Sequence, residues 1–216
     1  MSAPPEGLLL DVQRDLESFY ALEPQAPVTD FLIPASEALG YPGGGSRTLV
    51  RDSGDSISVG LVLDGCVCDD LVRKDPRTCL DLGNLGSFCT LTEEVSHFLY
   101  LLFRASLNRP VSELELELQG EVDKYLTAVF FLSLQNEGAV STRLKELMFR
   151  RYRLDSGLTP ERQERYRAAS GLAERYCGWL ERVFLRRGRI GDLRQEARRF
   201  YRLGQREKLE AIAEIH

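Results

Sequence analysis

Two neighbouring carboxylates and a histidine lie within five residues of each other, in the segment EEVSH that begins at Glu93. This segment contains His97, one of only two histidines in the chain, the other being the C-terminal residue His216. If the segment is helical, Glu93 and His97 are four residues apart and project from the same face. A carboxylate oxygen and an imidazole nitrogen placed in this way can bind one cation, as zinc and iron sites require. The pattern therefore predicts Glu93 and His97 as metal ligands.

A third ligand would have to come from another part of the chain, and the predicted helix over residues 110–135 offers one. Glu121 lies close to the centre of the apolar stripe that runs from Leu114 to Leu132 on that helix. A carboxylate at such a position is desolvated, which is costly unless the group is paired, hydrogen-bonded or bound to a metal. Glu117 lies at the edge of the same stripe. Glu121 is therefore the expected third ligand, with Glu117 as the alternative.

The segment resembles the HExxH helix of the zincin-like metallopeptidases. Glu93 stands where that motif has its first histidine, Glu94 is at the general-base position, and His97 is at the second ligand position. The order of elements is similar to that of small gluzincins, in which a helix and a β-ribbon precede the HExxH helix and a later helix supplies a glutamate ligand. Glu121, or Glu117 as the alternative, would match that glutamate. The resemblance covers residues 1–135 at most, and it implies a metal-dependent hydrolase with Glu94 as the general base.

Glu93 is also the residue that departs from the motif. A catalytic HExxH site has two neutral imidazoles and one carboxylate, which leave the zinc ion the positive charge that catalysis needs. An additional carboxylate cancels part of that charge. We therefore expect a zincin-like scaffold without catalytic activity, which acts through interactions or in regulation. The other outcome is an altered site that prefers a harder, oxygen-binding cation.

The same residues also fit an ordinary helix start. Thr90 and Glu93 have the spacing of a capping box, and two acidic residues in a first helical turn interact favourably with the helix dipole. The periodicity of residues 91–106 places Glu93, His97 and Arg104 opposite the apolar stripe of that helix. On this interpretation His97 is partly exposed, Arg104 pairs with Glu93, and no metal is bound.

The sequence contains only incomplete motifs for two other kinds of site, a di-iron centre and a cysteine nucleophile. The spacing from Glu94 to His97 matches half of a di-iron carboxylate motif, but such sites need a second ExxH segment. The only other histidine, His216, does not supply one. Cys89 and His97 could form a nucleophile pair, yet no local signature accompanies them.

Hydrophobic periodicity and turn residues predict an α+β protein that is predominantly helical. The predicted helices cover residues 7–22, 91–106, 110–135, 139–153, 159–187 and 192–214. A β-hairpin is predicted over residues 48–63, with its turn at residues 52–55, and residues 64–89 are expected to form a loop or short helices. The N-terminal helix and the hairpin should pack on the two helices that carry the candidate ligands. Residues 1–136 are expected to form this helix-plus-β-ribbon domain, and residues 137–216 an arginine-rich helical region that packs on it or extends from it.

The charge is divided unevenly along the chain. Residues 1–140 contain 9 Lys and Arg against 22 Asp and Glu, whereas residues 141–216 contain 19 against 11. Opposite charges of this kind attract each other across an internal interface, or attract an outside partner. A protein partner is favoured, because the arginines alternate with glutamates along predicted helices. Nucleic acid is the alternative, and it would need exposed aromatic side chains beside the arginines; the candidates are Tyr152, Tyr166, Tyr176 and Tyr201.

The composition narrows the class of protein further. Five cysteines, an odd number without a CxxC pair, argue against a disulfide framework and against a zinc ribbon. The N-terminus lacks the basic stretch of a secretory signal, and no run of 18 apolar residues is present. We therefore expect a cytoplasmic protein that does not span a membrane. No cofactor is expected, apart from a divalent metal ion if the candidate ligands form a site.

Overall fold

The computed structural model describes residues 3–34, 36–40, 44–52, 57–138, 143–150 and 159–215. The protein is a predominantly helical α+β structure, as predicted. Its main elements in chain order are α1 (Glu6–Tyr20), β1 (Arg47–Asp52), β2 (Ile57–Val62), α2 (Gly65–Arg73), α3 (Leu85–Ser106), α4 (Glu113–Gln135), α5 (Pro160–Val183), α6 (Ile190–Arg202) and α7 (Gln205–Ala213). Short 3-10 helices at Val28–Phe31, Glu37–Gly40 and Leu185–Arg187 and a π-helical turn at Glu146–Arg150 lie between them.

Most predicted elements are confirmed to within a few residues, including α1, the two hairpin strands, α4 and α5. The helical region predicted over residues 192–214 consists of α6 and α7, and residues 64–89 contain α2 and the first turn of α3. Of the helix predicted over residues 139–153, the described part is helical from residue 144 to residue 150. The remainder of that prediction lies outside the described residues, as do residues 53–56 of the hairpin turn.

The start of α3 differs from the prediction. The helix begins at Leu85, six residues earlier than expected, and Phe88 in the added turns is fully buried. Burial of large apolar side chains outweighs the cost of about 1 kcal/mol for one glycine within a helix. Thr90 therefore lies inside the helix, where its hydroxyl donates a hydrogen bond to the Gly86 carbonyl. The capping-box prediction for Thr90 and Glu93 is wrong.

The centre of the fold is the pair of helices α3 and α4, which pack along each other. α1 packs on α3, and α5 packs on the other side of α4. Because α4 is covered by both neighbours, nearly every residue between positions 115 and 129 is buried, including the charged ones. Buried polar groups of this kind need hydrogen-bond partners. Asp123, for example, accepts hydrogen bonds from Tyr20 of α1 and Ser96 of α3.

The hairpin lies against α3. β1 and β2 pair antiparallel, from Arg47 opposite Val62 to Asp52 opposite Ile57. On the other side of β2, Leu32 forms a short parallel bridge to Leu61. The hairpin thus covers the flank of α3 on which Glu94 lies.

The C-terminal helices pack on the acidic first part of the chain. α6 contacts α1, and two of its arginines bind the C-terminal end of that helix. Arg198 donates to the carbonyls of residues 18 and 19, and Arg202 to those of residues 20 and 21. Positive groups at the last carbonyls of a helix interact favourably with its dipole. Two arginines of the C-terminal region are therefore engaged in contacts within the molecule.

The tyrosines considered for nucleic-acid contact are not a set of exposed rings. Tyr176 and Tyr201 are 1% exposed and belong to the hydrophobic core. Tyr166 is partly buried, and Tyr152 lies outside the described residues. Buried rings cannot stack on nucleic-acid bases. Tyr176 and Tyr201 therefore do not provide the exposed aromatic side chains that the nucleic-acid hypothesis needs.

Two findings bear on the class of protein. All five cysteines are free thiols, and Cys66 and Cys79 among them are exposed. Of the helices that the structure describes, none is both long enough and apolar enough to cross a membrane.

Candidate metal site

Glu93, His97 and Glu117 come together in the interface between α3 and α4. Each offers one ligand atom, and the three atoms lie within 4.8 Å of one another. Glu93 and His97 are one turn apart on α3, and Glu117 faces them from α4. Their side chains are 16%, 8% and 9% exposed, respectively. The structure therefore brings together two of the three predicted ligands and adds the residue that was the alternative for the third.

His97 is held with Nε2 directed to this group. The Leu116 carbonyl accepts a hydrogen bond from the ring, whereas Nε2 has no hydrogen-bond partner among the residues that the structure describes. The bonded atom is therefore Nδ1, and the bond selects the tautomer with its lone pair on Nε2. Burial lowers the pKa of His97 to about 4, an effect that Lys124 reinforces and Glu93 opposes. The ring is thus neutral at pH 7, and neutral imidazole is the form that binds metal ions.

The prediction that His97 is partly exposed is wrong, and Arg104, on the same face of α3, is not exposed either. Both side chains are buried, because α4 packs on this face of α3. Arg104 does not extend to Glu93; its Nε lies 3.6 Å from Oε1 of Glu115 on α4. Arg104 therefore contacts Glu115 on α4 instead of forming the ion pair with Glu93 that the ordinary helix start predicted.

Glu117 faces His97 with an oxygen that also lacks a partner. Its Oε2 lies 3.8 Å from His97 Nε2 and accepts no hydrogen bond from the described part of the chain. Burial, and then the charge of Glu93, raise the pKa of Glu117 to about 8. At pH 7 this carboxyl group therefore carries a proton. The two buried atoms, one from each helix, lie side by side.

Gly120 lies beside these atoms and lets the imidazole approach α4 closely. A Cβ atom at this position would lie 2.9 Å from His97 Nε2 and 3.5 Å from Glu93 Cγ. The first distance is shorter than a van der Waals contact, so a side chain could be accommodated only if the imidazole moved. Donors of one tetrahedral zinc ion, each about 2.1 Å from it, are roughly 3.4 Å apart. Two unpartnered ligand atoms at the similar separation of 3.8 Å, next to a glycine on which a side chain would displace the imidazole, fit a metal ion.

Lys124 binds the other side of Glu93. Its Nζ lies 2.9 Å from Glu93 Oε2 and 2.9 Å from Glu121 Oε1, and its side chain is 5% exposed. Burial alone would lower the pKa of Lys124, but the two carboxylates raise it well above its usual value. Burial would raise the pKa of Glu93, but Lys124 and then His97 hold it below the ordinary value. An ammonium and a carboxylate therefore meet here in their charged forms.

Glu121, the predicted third ligand, occupies a different place from the one expected. It is one helical turn beyond Glu117 on α4 and is buried, as its position in the apolar stripe predicted. Its Oε1 accepts a hydrogen bond from Lys124, and it is not one of the three grouped ligand residues. Neither Lys124 nor Gly120 was among the predicted site residues. Lys124 could have been found from its position three residues after Glu121, a spacing typical of helical ion pairs.

Glu94, the residue at the general-base position, lies beside the hairpin. The Thr48 hydroxyl of β1 donates a hydrogen bond to Glu94 Oε2 at 2.7 Å. Burial, and then the charge of Glu93, raise the pKa of Glu94 to about 8, against the effect of the Thr48 hydrogen bond. A carboxyl group with a pKa near neutrality can exchange a proton at physiological pH.

A cleft with a volume of about 300 Å³ lies beside Glu93 and Lys124, and neither His97 nor Glu117 is among the residues that line it. Its charged lining consists of Glu93, Glu121 and Lys124. The other side chains that line it are largely apolar: Leu82, Leu85, Cys89, Thr90, Leu147 and Met148. This volume is at the lower end of the range found for small-molecule pockets.

Comparison with known proteins gives no relative from which a role could be transferred: no protein-family model matches the chain, and no curated protein or solved structure is significantly similar to it.

Proposed function

We propose that this protein is a metal-dependent hydrolase that holds one divalent ion through Glu93, His97 and Glu117. The observation that carries the proposal is the pair of buried, unpartnered atoms, His97 Nε2 and Glu117 Oε2, beside Gly120. A buried polar atom without a partner costs about 1–3 kcal/mol. A bound cation would remove that cost for both atoms together.

The chemistry of the donors limits the choice of ion. One imidazole and two carboxylates suit zinc, manganese or iron better than soft ions such as copper(I). A divalent ion at this position supplies a Lewis acid that polarises a carbonyl or phosphoryl oxygen. Glu94 is the general base of the proposal, because it holds that position in the motif that the segment resembles. Burial raises its pKa to about 8, so it can take up and release a proton near neutral pH, and the Thr48 hydroxyl donates a hydrogen bond to its Oε2.

The main objection to catalysis was the additional carboxylate at Glu93. Lys124 weakens this objection, since its ammonium is 2.9 Å from that carboxylate in a buried environment, where charges interact strongly. The negative charge that Glu93 brings to the ion is therefore partly compensated. For this reason the hydrolase is favoured here over the non-catalytic scaffold that the sequence suggested.

The test combines metal content with activity. Protein stripped with EDTA is titrated with Zn²⁺ and Mn²⁺ by calorimetry, and the stoichiometry is checked by elemental analysis. One equivalent is expected for the wild type, and at least a hundredfold weaker binding for His97→Ala and Glu117→Gln. Glu210→Gln serves as the control, because Glu210 is exposed on α7.

Hydrolysis is then measured on peptide and ester libraries. Glu94→Gln should retain the ion and lose metal-dependent activity, whereas the Glu210→Gln control should keep both. Wild-type protein that binds less than a tenth of an equivalent would refute the proposal, and full metal binding without any activity would leave only its metal-binding part.

A further inference from the structure

Glu93 takes part in two groups of side chains at once. One is the candidate metal group with His97 and Glu117, and the other is the buried ion pair that Lys124 forms with Glu93 and Glu121. Glu93 Oε2 is bound to the ammonium. The carboxylate therefore lies between the proposed ion and the Lys124 ammonium, as a bridging carboxylate lies between two metal ions in a binuclear site.

We propose that the Lys124 ammonium occupies the position of a second metal ion and so restricts this centre to one. The inference rests on the proposed function, since it assumes an ion at Glu93, His97 and Glu117. It assigns to Lys124 the role of a built-in second cation that determines how many ions the centre holds.

The surroundings of the ammonium support this assignment. Two carboxylate oxygens, one from Glu93 and one from Glu121, each lie 2.9 Å from Nζ. The Cys89 thiol interacts electrostatically with Lys124 and with both of these carboxylates, and it lines the same cleft. Oxygen and sulfur groups of this kind are metal ligands, and the cleft gives water access to complete a coordination shell. If the ammonium were absent, the remaining groups would make a plausible cation site.

The charges agree with a single ion. Glu93, Glu117 and Glu121 carry three negative charges when all are ionised. One divalent ion and one ammonium carry three positive charges, so the centre is neutral with this combination. A second divalent ion would leave an excess of positive charge in a buried position, which is costly. Without the ammonium, one divalent ion would leave one negative charge uncompensated in this buried centre.

The experiment removes the ammonium and leaves room in its place. Lys124→Ser and Lys124→Ala are titrated with Mn²⁺, and the stoichiometry and the electron paramagnetic resonance spectrum are recorded. Wild-type protein should bind one Mn²⁺ with a six-line spectrum of an isolated ion. Each variant should bind two, with a spectrum broadened by exchange coupling. The double variant Lys124→Ser with Glu121→Gln should return to one.

The matched control is Lys145→Ser, because Lys145 is also near a buried glutamate, with its Nζ 3.9 Å from Glu181 Oε2. It should bind one Mn²⁺, as the wild type does. If a Lys124 variant does not fold in EDTA, it is refolded with excess Mn²⁺, and folding with two bound ions is expected.

The outcomes separate the two proposals. Wild-type protein without any bound Mn²⁺ contradicts the proposed function itself. One Mn²⁺ in the wild type and one in both Lys124 variants contradicts only the role of Lys124. Two coupled ions in the wild type contradict that role too, and so do Lys124 variants that fail to fold with or without Mn²⁺.

Discussion

His97 Nε2 and Glu117 Oε2 lie 3.8 Å apart across the interface of α3 and α4, and within the described ranges neither atom has a hydrogen-bond partner. In a protein interior, two such atoms would ordinarily be satisfied by a third polar group or replaced by apolar side chains. Here Gly120, which has no side chain, allows the His97 imidazole to approach α4 closely. The two unpartnered atoms are destabilising by themselves, and the proposed cation would offset that cost.

Metal binding should stabilise the fold. A ligand present at a hundred times its dissociation constant adds about 2.7 kcal/mol to the free energy of unfolding, which corresponds to a rise in Tm of about 5–10 °C for a chain of this length. Differential scanning calorimetry with Zn²⁺ or Mn²⁺ against EDTA measures this. His97→Ala should show no metal-dependent rise, and Glu210→Gln should show the full rise. An equal rise in His97→Ala would place the bound ion elsewhere.

Gly120→Ala should block the site without removing a ligand. The new Cβ would lie 2.9 Å from His97 Nε2, so the imidazole must turn away, and we expect metal affinity to fall at least tenfold. Circular dichroism should show that the helical content is retained. The matched control is Gly171→Ala on α5, where a Cβ meets no atom within 4 Å. That substitution should leave metal affinity unchanged and stabilise the fold by about 0.5–1 kcal/mol.

Metal affinity should depend on pH through Glu117. Its pKa of about 8 means that the ion must displace a proton at neutral pH. Apparent affinity should therefore fall about tenfold for each pH unit below 8. His97 adds no step near pH 6.5, because burial lowers its pKa to about 4. Calorimetry in buffers of different ionisation enthalpy should give release of about one proton at pH 7. A single midpoint near pH 6.5, with no proton release at pH 7, would contradict this assignment.

The sequence predicted the helix pair and two of the three grouped residues, because helical spacing alone places Glu93 and His97 on one face. It did not predict which glutamate of α4 faces them. Glu117 and Glu121 are one turn apart, and the choice depends on how α4 is rotated and shifted along α3. The rotation and shift of α4 are set by how the two helices pack against each other. The pattern of apolar residues within one helix does not determine that packing.

The errors on the exposure of His97 and on the partner of Arg104 have a similar cause. The periodicity of α3 identified its most apolar stripe, and the opposite face was taken to be solvated. In the structure that face is buried by α4, whose own charged residues provide the partners. Arg104 lies beside Glu115, and Lys124 pairs with Glu93. Polar faces buried against each other resemble exposed faces in sequence, so only the tertiary contact distinguishes them.

The stability of the metal-free protein should decrease as pH rises, and Glu94 should account for part of this decrease. Its ordinary pKa is near 4.5, and burial raises it to about 8 in the folded protein. Between these values the folded chain holds a proton that the unfolded chain has lost. The contribution of Glu94 to stability is therefore fully present below pH 4.5, and it is lost as pH rises through 8. Removing this group should make the slope of unfolding free energy against pH less negative by about 1.4 kcal/mol per pH unit.

Urea unfolding of Glu94→Gln in EDTA, followed from pH 5 to pH 8, measures this slope. Glutamine has the shape of the protonated carboxyl group and can still accept the hydrogen bond from Thr48, so the fold should be retained. Glu117 also has a raised pKa and remains in the variant, so some decrease with pH should persist. Glu210→Gln should give a curve parallel to that of the wild type. If the curve of Glu94→Gln is also parallel to that of the wild type, Glu94 is ionised in the folded protein throughout this range. That result would contradict a pKa raised by burial.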